Sequence, residues 1–310
     1  MSWDANDKTI EYTTPFQLTK KIIRNVPSIL SPENPRNSAE GKIIVITGGA
    51  TGIGLAAAEV WIRAGAAGVV IAGRRKEVLD RAAAKLGDLA NGSTKVLAIQ
   101  TDVTKVPDTD KLFAQIKQAF NRPADVVLSN AGAITPMVKP HEESSEKWWT
   151  SFEVNTLGTH NLATSFIRSQ ADPTKPVGTF ISTNSGLAGI IEPGLSGYSI
   201  AKLAAQRYIE YLDAEYPSLR SFTLFPGIVV TDMLDPAFAT YALDQASQTG
   251  AVVLYLASPR SDYLKGSLMS VNWDVEEMEG HAEEIRKGIL RIKYVPVLPV
   301  SGGKGFWTDV

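Results

Sequence analysis

With 310 residues, 44% of them hydrophobic and 21% charged, the chain is long enough for one large α/β domain with a sizeable core. A net charge of −2 gives no electrostatic reason to expect nucleic acid or an anionic membrane as partner. The absence of cysteine excludes disulfides and a thiol nucleophile, and the three scattered histidines, His141, His160 and His281, lack zinc-ligand spacing.

The chain starts polar and acidic through Asp7, unlike a signal peptide. No apolar run reaches the ~20 residues of a membrane span, so a cytoplasmic location is expected. Residues 1–40 read as an arm and linker. Pro27, Pro32 and Pro35, with Ser28, Ser31, Asn34 and Asn37, punctuate it as a linker. Before them, Leu18, Ile22, Ile23 and Val26 predict one short amphipathic helix over 16–26, packed on its own domain or on a neighbouring subunit.

From Gly41 onward, apolar β-rich runs at 43–46, 69–72, 96–99, 126–128, 179–181, 222–225 and 268–271 alternate with helical patterns. The patterns fall near 53–64, 76–89, 108–120, 146–169, 198–215 and 243–257. Such alternation predicts a single doubly wound parallel sheet of about seven strands with helices on both faces. Ligands would bind at the carboxyl ends of its strands. The domain would span 41–275, leaving 276–310 as a C-terminal extension.

The first strand runs into Thr47-Gly48-Gly49-Ala50-Thr51-Gly52-Ile53-Gly54 and then a helical pattern. Glycines let the backbone approach a pyrophosphate, and the helix start offers free N–H groups to it; elsewhere such a run is only a turn. The second strand ends at Gly73-Arg74-Arg75. Arginine there suits a 2′-phosphate, where a carboxylate would take a ribose hydroxyl. NADP(H) is therefore favoured, NAD(H) stays open, and a plain solvated basic turn is the alternative. Asp102-Val103 after the third strand could meet an adenine or cap the next segment. Asn130-Ala131-Gly132 after the fourth has small residues that let a flat cofactor approach. Further on, Tyr198 and Lys202 stand four residues apart, on one helical face. A cation there favours phenolate and would lower the tyrosine pKa.

Thr47-Gly48-x-x-x-Gly52-x-Gly54, Asn130-Ala131-Gly132, Asn155, Ser185, Tyr198-x-x-x-Lys202 and Pro226-Gly227 occur in one order. On these motifs the chain resembles the classical short-chain dehydrogenases/reductases across roughly 41–275. Its extended termini are similar to those of fungal-type members. The resemblance implies a Rossmann-type sheet and one role per residue. Tyr198 would give a proton to a carbonyl oxygen or take one from an alcohol. Lys202 would lower the Tyr198 pKa and hold the nicotinamide ribose. Ser185, thirteen residues before Tyr198, would bond the substrate oxygen, with Ser182 and Thr183 as the competing hydroxyls. Asn155 would position a water in a proton relay. Thr47, Gly48, Thr51, Gly52, Ile53 and Gly54 would form the phosphate loop. Pro226, Gly227 and Val229 would border the nicotinamide, and Thr231 could meet its carboxamide or the pyrophosphate. No metal is implied.

Substrate contacts are expected from 134–136, from Ile190-Ile191-Glu192-Pro193, and from 232–243. In that last segment Met233, Leu234, Phe238 and Tyr241 read as an apolar lid or an ordinary packed helix. They suggest a mainly apolar or aromatic ketone or secondary alcohol, with Glu192 the one nearby charge. In the tail, Arg286–Leu290 reads as helical, followed by a Pro- and Gly-rich end. Trp148 and Trp149 read as core rather than interface, in a segment through which the family forms homodimers or homotetramers. Two other readings keep the site: non-redox work such as dehydration, isomerisation or cyclisation, and a dinucleotide sensor without catalysis.

Overall fold

Parallel strands that are buried on both faces need helices above and below them, and the seven apolar runs obtain this cover. The computed structural model describes Tyr12, Thr13 and residues 16–293. Its strands are β1 (Ile43–Thr47), β2 (Gly68–Gly73), β3 (Lys95–Gln100), β4 (Val126–Ser129), β5 (Thr179–Thr183), β6 (Arg220–Phe225) and β7 (Leu268–Ser270). They form one parallel sheet in the order β3-β2-β1-β4-β5-β6-β7. The helices are α1 (Gly52–Arg63), α2 (Lys76–Ala90), α3 (Val106–Phe120), α4 (Ser145–Phe152), α5 (Gly158–Ser169), α6 (Ser196–Glu215), α7 (Ser247–Leu256), α8 (Val275–Gly280) and α9 (Ala282–Arg286). The expected Rossmann-type fold is present, and no described helix is long and apolar enough to cross a membrane.

Alternation along β1 splits the core. Ile44 and Ile46 point to one face, where Trp61 of α1 and Tyr255 of α7 are buried. Ile43 and Val45 point to the other, against Phe113 of α3 and Phe166 of α5, as the two-residue period requires. Strand order reverses between β1 and β4, and the crevice at their carboxyl ends is where such sheets take ligands.

Three expectations are corrected. The 16–26 arm is not a helix. Its backbone bonds run to other segments: the Ile23 N–H donates to the Asn272 carbonyl at 2.9 Å, and the Lys20 N–H donates to Glu277 Oε2 at 3.0 Å. It is packed on its own domain, followed by short 3₁₀ turns at Ser28–Leu30 and Pro35–Asn37. The 146–169 helix is interrupted by a π turn over Glu153–Leu157, the kind of local widening that often marks functional sites. The tail helix lies earlier than expected and ends at Arg286, since Gly288 takes φ +83°, a left-handed conformation that stops a helix. Val275, Met278 and Ile285 are buried in the core, and Leu268 of the edge strand β7 donates its N–H to the Leu290 carbonyl at 3.1 Å. The Pro- and Gly-rich end lies outside the described residues.

Candidate active site

All the predicted site residues except Gly54 and Asn155 line one cleft of about 470 Å³ at the carboxyl end of the sheet. Its floor is locked at the β1/β4 crossing. Thr47 Oγ1 accepts from the N–H groups of Asn130 and Ala131, both at 3.0 Å, and Asn130 Nδ2 donates back to the Thr47 carbonyl at 3.1 Å. Gly54 lies under the loop rather than in the cleft: a Cβ there would stand 2.3 Å from the Gly48 carbonyl oxygen. Thr51 precedes α1 without capping it by its side chain, so the first amides of a twelve-residue helix are open to an anion. At the cleft itself Gly48 and Gly52 take φ +64° and +51° and carry no side chain over these amides, so the residues present fit a dinucleotide phosphate.

Arg74 and Arg75 are exposed at the same cleft. Asp102 lines the cleft and closes a turn, accepting at Oδ1 from the Thr104 N–H at 3.0 Å and the Thr104 hydroxyl at 2.8 Å. Burial works to raise its pKa, but these bonds, with the charges of Arg74 and Lys105, hold the carboxyl below the usual range. Val103 turns its carbonyl to Asn161 Nδ2, which donates at 3.0 Å, and so fixes the β3 exit on α5.

On the other side of the crossing, Ser185 follows β5 and lines the cleft, whereas Ser182 is buried within the strand and does not. Alternation along the strand turns Thr183 rather than Ser182 to the cleft, so Thr183 shares the cleft with Ser185. Asn184 holds Ser185 in place: its Oδ1 accepts the Ser185 N–H at 2.8 Å and its Nδ2 donates to the Lys202 carbonyl at 2.8 Å. Tyr198 and Lys202 stand one turn apart on α6. The Lys202 ammonium donates to the Thr183 carbonyl at 2.9 Å and sits 5.7 Å from the centre of the Tyr198 ring.

The expected depression of the Tyr198 pKa is not present. Burial pushes the phenol above its usual value, and the nearby Ser185 hydroxyl draws it only partly back. The physical reason is placement: Lys202 faces the ring and spends a bond on a backbone carbonyl. Burial in turn lowers Lys202 from 10.5 to about 8. Asn155, in the π turn, is locked on the loop after β4. Its Nδ2 donates to the carbonyls of Ala133 at 2.7 Å and Ser151 at 2.9 Å, and its Oδ1 accepts the Ala133 N–H at 3.3 Å. A Cβ on Gly132 would meet Asn155 Oδ1 at 3.1 Å and Lys202 Nζ at 3.7 Å, so the two polar groups flank one small residue.

Gly227 takes φ +75°, and a Cβ there would stand 2.3 Å from Asp244 Oδ2. Asp244 accepts the Ile228 N–H at 2.7 Å, Arg24 Nη1 at 2.9 Å and Asn272 Nδ2 at 2.7 Å. Its side chain is wholly buried. Of the expected substrate loops, Ile134, Ile190, Met233, Leu234 and Phe238 line the cleft, while Ile191 is 95% exposed. Segment 232–243 is a loop with a 3₁₀ turn at Pro236–Tyr241, not a packed helix. Glu192 does not line the cleft, and the charges of these loops that do are Asp232 and Asp235.

Sequence reasoning missed Tyr12, Thr13, Phe16 and Asp244. The first three line the cleft from the arm, and the only signal was two aromatic side chains in an otherwise polar stretch. Trp149 is a further correction: it is 53% exposed and stacks on Phe152 with ring centres 5.0 Å apart, rather than entering the core.

Comparisons with known proteins agree with the fold. The family model described as short chain dehydrogenase matches residues 42–242. A short chain dehydrogenase of Monascus purpureus is 28% identical over 265 residues, covering 82% of this chain and 89% of its own length. A short chain dehydrogenase/reductase of Claviceps purpurea is 30% identical over 251 residues, covering 79% of this chain and 82% of its own. Among solved structures, an NADPH-dependent 3-quinuclidinone reductase from Rhodotorula rubra superposes with a TM-score of 0.68 at 26% identity, over 82% of this chain and 97% of that one.

Proposed function

The chain belongs to the short-chain dehydrogenase family, and we propose that it is an NADP(H)-dependent carbonyl reductase or secondary alcohol dehydrogenase acting on a mainly apolar or aromatic small molecule. The observation that carries this reading is the meeting of Tyr198, Ser185 and Lys202 in the same cleft as an uncapped glycine-loop helix. Bound nicotinamide would supply or accept the hydride at the substrate carbon.

The chain's own residues would do the rest. Thr47, Gly48, Thr51, Gly52 and Ile53 would hold the pyrophosphate, with Gly54 packed beneath. Arg74, assisted by Arg75, would take the 2′-phosphate as a charge-assisted partner. That a similar structure is named NADPH-dependent supports this choice over NAD(H). Asp102 and Val103 would face the adenine. Asn130, Ala131 and Gly132 would lie along the cofactor, with Pro226, Gly227, Val229 and Thr231 bordering the nicotinamide.

A phenol pushed up by burial rests protonated at neutral pH and so carries the proton that a carbonyl oxygen would take in reduction, although the upward shift itself works against releasing it. The phenolate left behind would be stabilised by the Lys202 ammonium that faces the ring. Ser185 would donate to the same substrate oxygen and hold it in reach. Asn155, fixed in the π turn, would order a water that returns the proton towards Lys202. Residues 41–275 would form this catalytic domain, with the two extensions packed around it.

Trp149, Leu157 and Tyr211 are exposed on α4, the π turn and α6. We take this apolar face as the contact of a homodimer or homotetramer; sedimentation at micromolar concentration should show particles heavier than 33.4 kDa, and monomer alone would remove it.

The test is NADPH absorbance with aromatic ketones, quinones and cyclic diketones. The proposal expects oxidation with at least one class. Tight NADPH binding without turnover on any of them would favour non-redox chemistry or a sensor.

A further inference from the structure

The N-terminal arm reaches the cleft, and it arrives there as a fixed wall. Trp273 Nε1 donates to the Phe16 carbonyl at 2.7 Å, the Asp274 N–H donates to Thr19 Oγ1 at 3.0 Å, and Arg24 pairs with the buried Asp244 at 2.9 Å. These bonds join the arm to the segment after β7 and to the Gly227–Ile228 loop.

Two aromatic rings of the arm stand on the substrate side. Phe16 meets Phe225 edge-to-face with ring centres 5.6 Å apart. It also lies against the turn that Ser185 caps: a Cβ on Gly186 or Gly189 would stand 2.8 Å from its ring. The two glycines therefore let this ring come within one turn of the candidate catalytic hydroxyl. Tyr12 meets Phe238 at 5.2 Å and Tyr241 at 4.8 Å, both edge-to-face. Its hydroxyl donates to Glu192 Oε2 at 3.2 Å. The arm thus bridges both loops expected to contact substrate, one through Phe238 and one through Glu192.

We propose that Tyr12 and Phe16 determine substrate specificity, forming with Leu187, Ile190 and Phe238 an aromatic compartment that takes a flat, fused-ring ketone or alcohol. The proposal rests on the reading of the cleft as a ketone site and adds the ligand class. Edge-to-face rings offer flat ligands an apolar slot, and each well-placed aromatic contact adds to the area buried. Loss of one such ring wall corresponds to about tenfold in affinity.

The experiment is calorimetric titration of 2-naphthol into the full-length protein, with and without NADPH, for wild type and Tyr12→Ala, Phe16→Ala, Tyr12→Phe and Leu18→Ala. Leu18 is an exposed arm residue outside the cleft and reports generic damage to the arm. Expected is binding by wild type, a loss of about tenfold in both ring-to-alanine variants, a few-fold at most in Tyr12→Phe, and none in Leu18→Ala. Equal binding by wild type and the ring-to-alanine variants would overturn the proposal. So would an equal loss in all four variants, or no binding to wild type. Because binding needs no turnover, a failure of the reductase reading would show separately, as absent NADPH oxidation alongside naphthol binding that still depends on Tyr12.

Discussion

Lys202 stands 5.7 Å from the centre of the Tyr198 ring and gives a hydrogen bond to the Thr183 carbonyl. The cation is thus oriented by the backbone of β5, and burial lowers its pKa from 10.5 to about 8. Below the folded value both folded and unfolded chains carry the proton, and the folded state bears the full desolvation cost. Between about 8 and 10.5 the unfolded chain keeps a proton that the folded protein has released. Stability therefore rises with pH across this window and levels off above it. Lys202→Met should lack that rise. Comparing urea unfolding of the two proteins at about pH 7 and about pH 9.5 checks it, since other groups cancel in the difference. Parallel profiles would contradict the buried ammonium.

Arg74 is exposed at the cleft, where a 2′-phosphate would give it a charge-assisted bond. Arg74→Ala should cut kcat/KM for NADPH about tenfold or more, and change it little for NADH. Steady-state kinetics with both cofactors decide this. A wild-type preference for NADH would overturn the NADP(H) assignment whatever the variant does.

Asp244 has a wholly buried side chain paired with an Arg24 side chain that is 22% exposed. Removing the carboxylate leaves the guanidinium, the Ile228 N–H and the Asn272 amide short of one acceptor. Asp244→Ala should therefore lose about 3 kcal/mol, the low end for breaking a buried pair because Arg24 can reach water. Denaturant unfolding measures it, and a loss below about 1 kcal/mol would mean the node behaves as a surface contact.

The sheet was legible because each strand is a short β-rich run between helical patterns, and burial on both faces leaves no room for polar alternation. The cleft residues were legible where backbone geometry demands a residue type: Gly227, at φ +75° against Asp244, is one case. What stayed hidden depends on contacts far apart in the chain. The 16–26 segment has helix-like spacing, yet its backbone finds partners at 245–277, and no local pattern carries that information. Likewise 146–169 reads as one helix, while the π turn carries Asn155, whose side chain bonds both Ser151 and the loop at Ala133. The direction of the Tyr198 shift was misread because helical spacing says that Lys202 is near, and not that it faces the ring.

The most direct test compares Tyr198→Phe with wild type in the NADPH-dependent reduction of a ketone that wild type turns over. The phenol hydroxyl is the one group removed, and the ring that Lys202 faces remains. The account predicts unchanged NADPH affinity and a fall in kcat of roughly 10²–10⁴-fold, the range carried by a positioned general acid. Turnover within a few-fold of wild type would contradict the assignment of Tyr198 as proton donor.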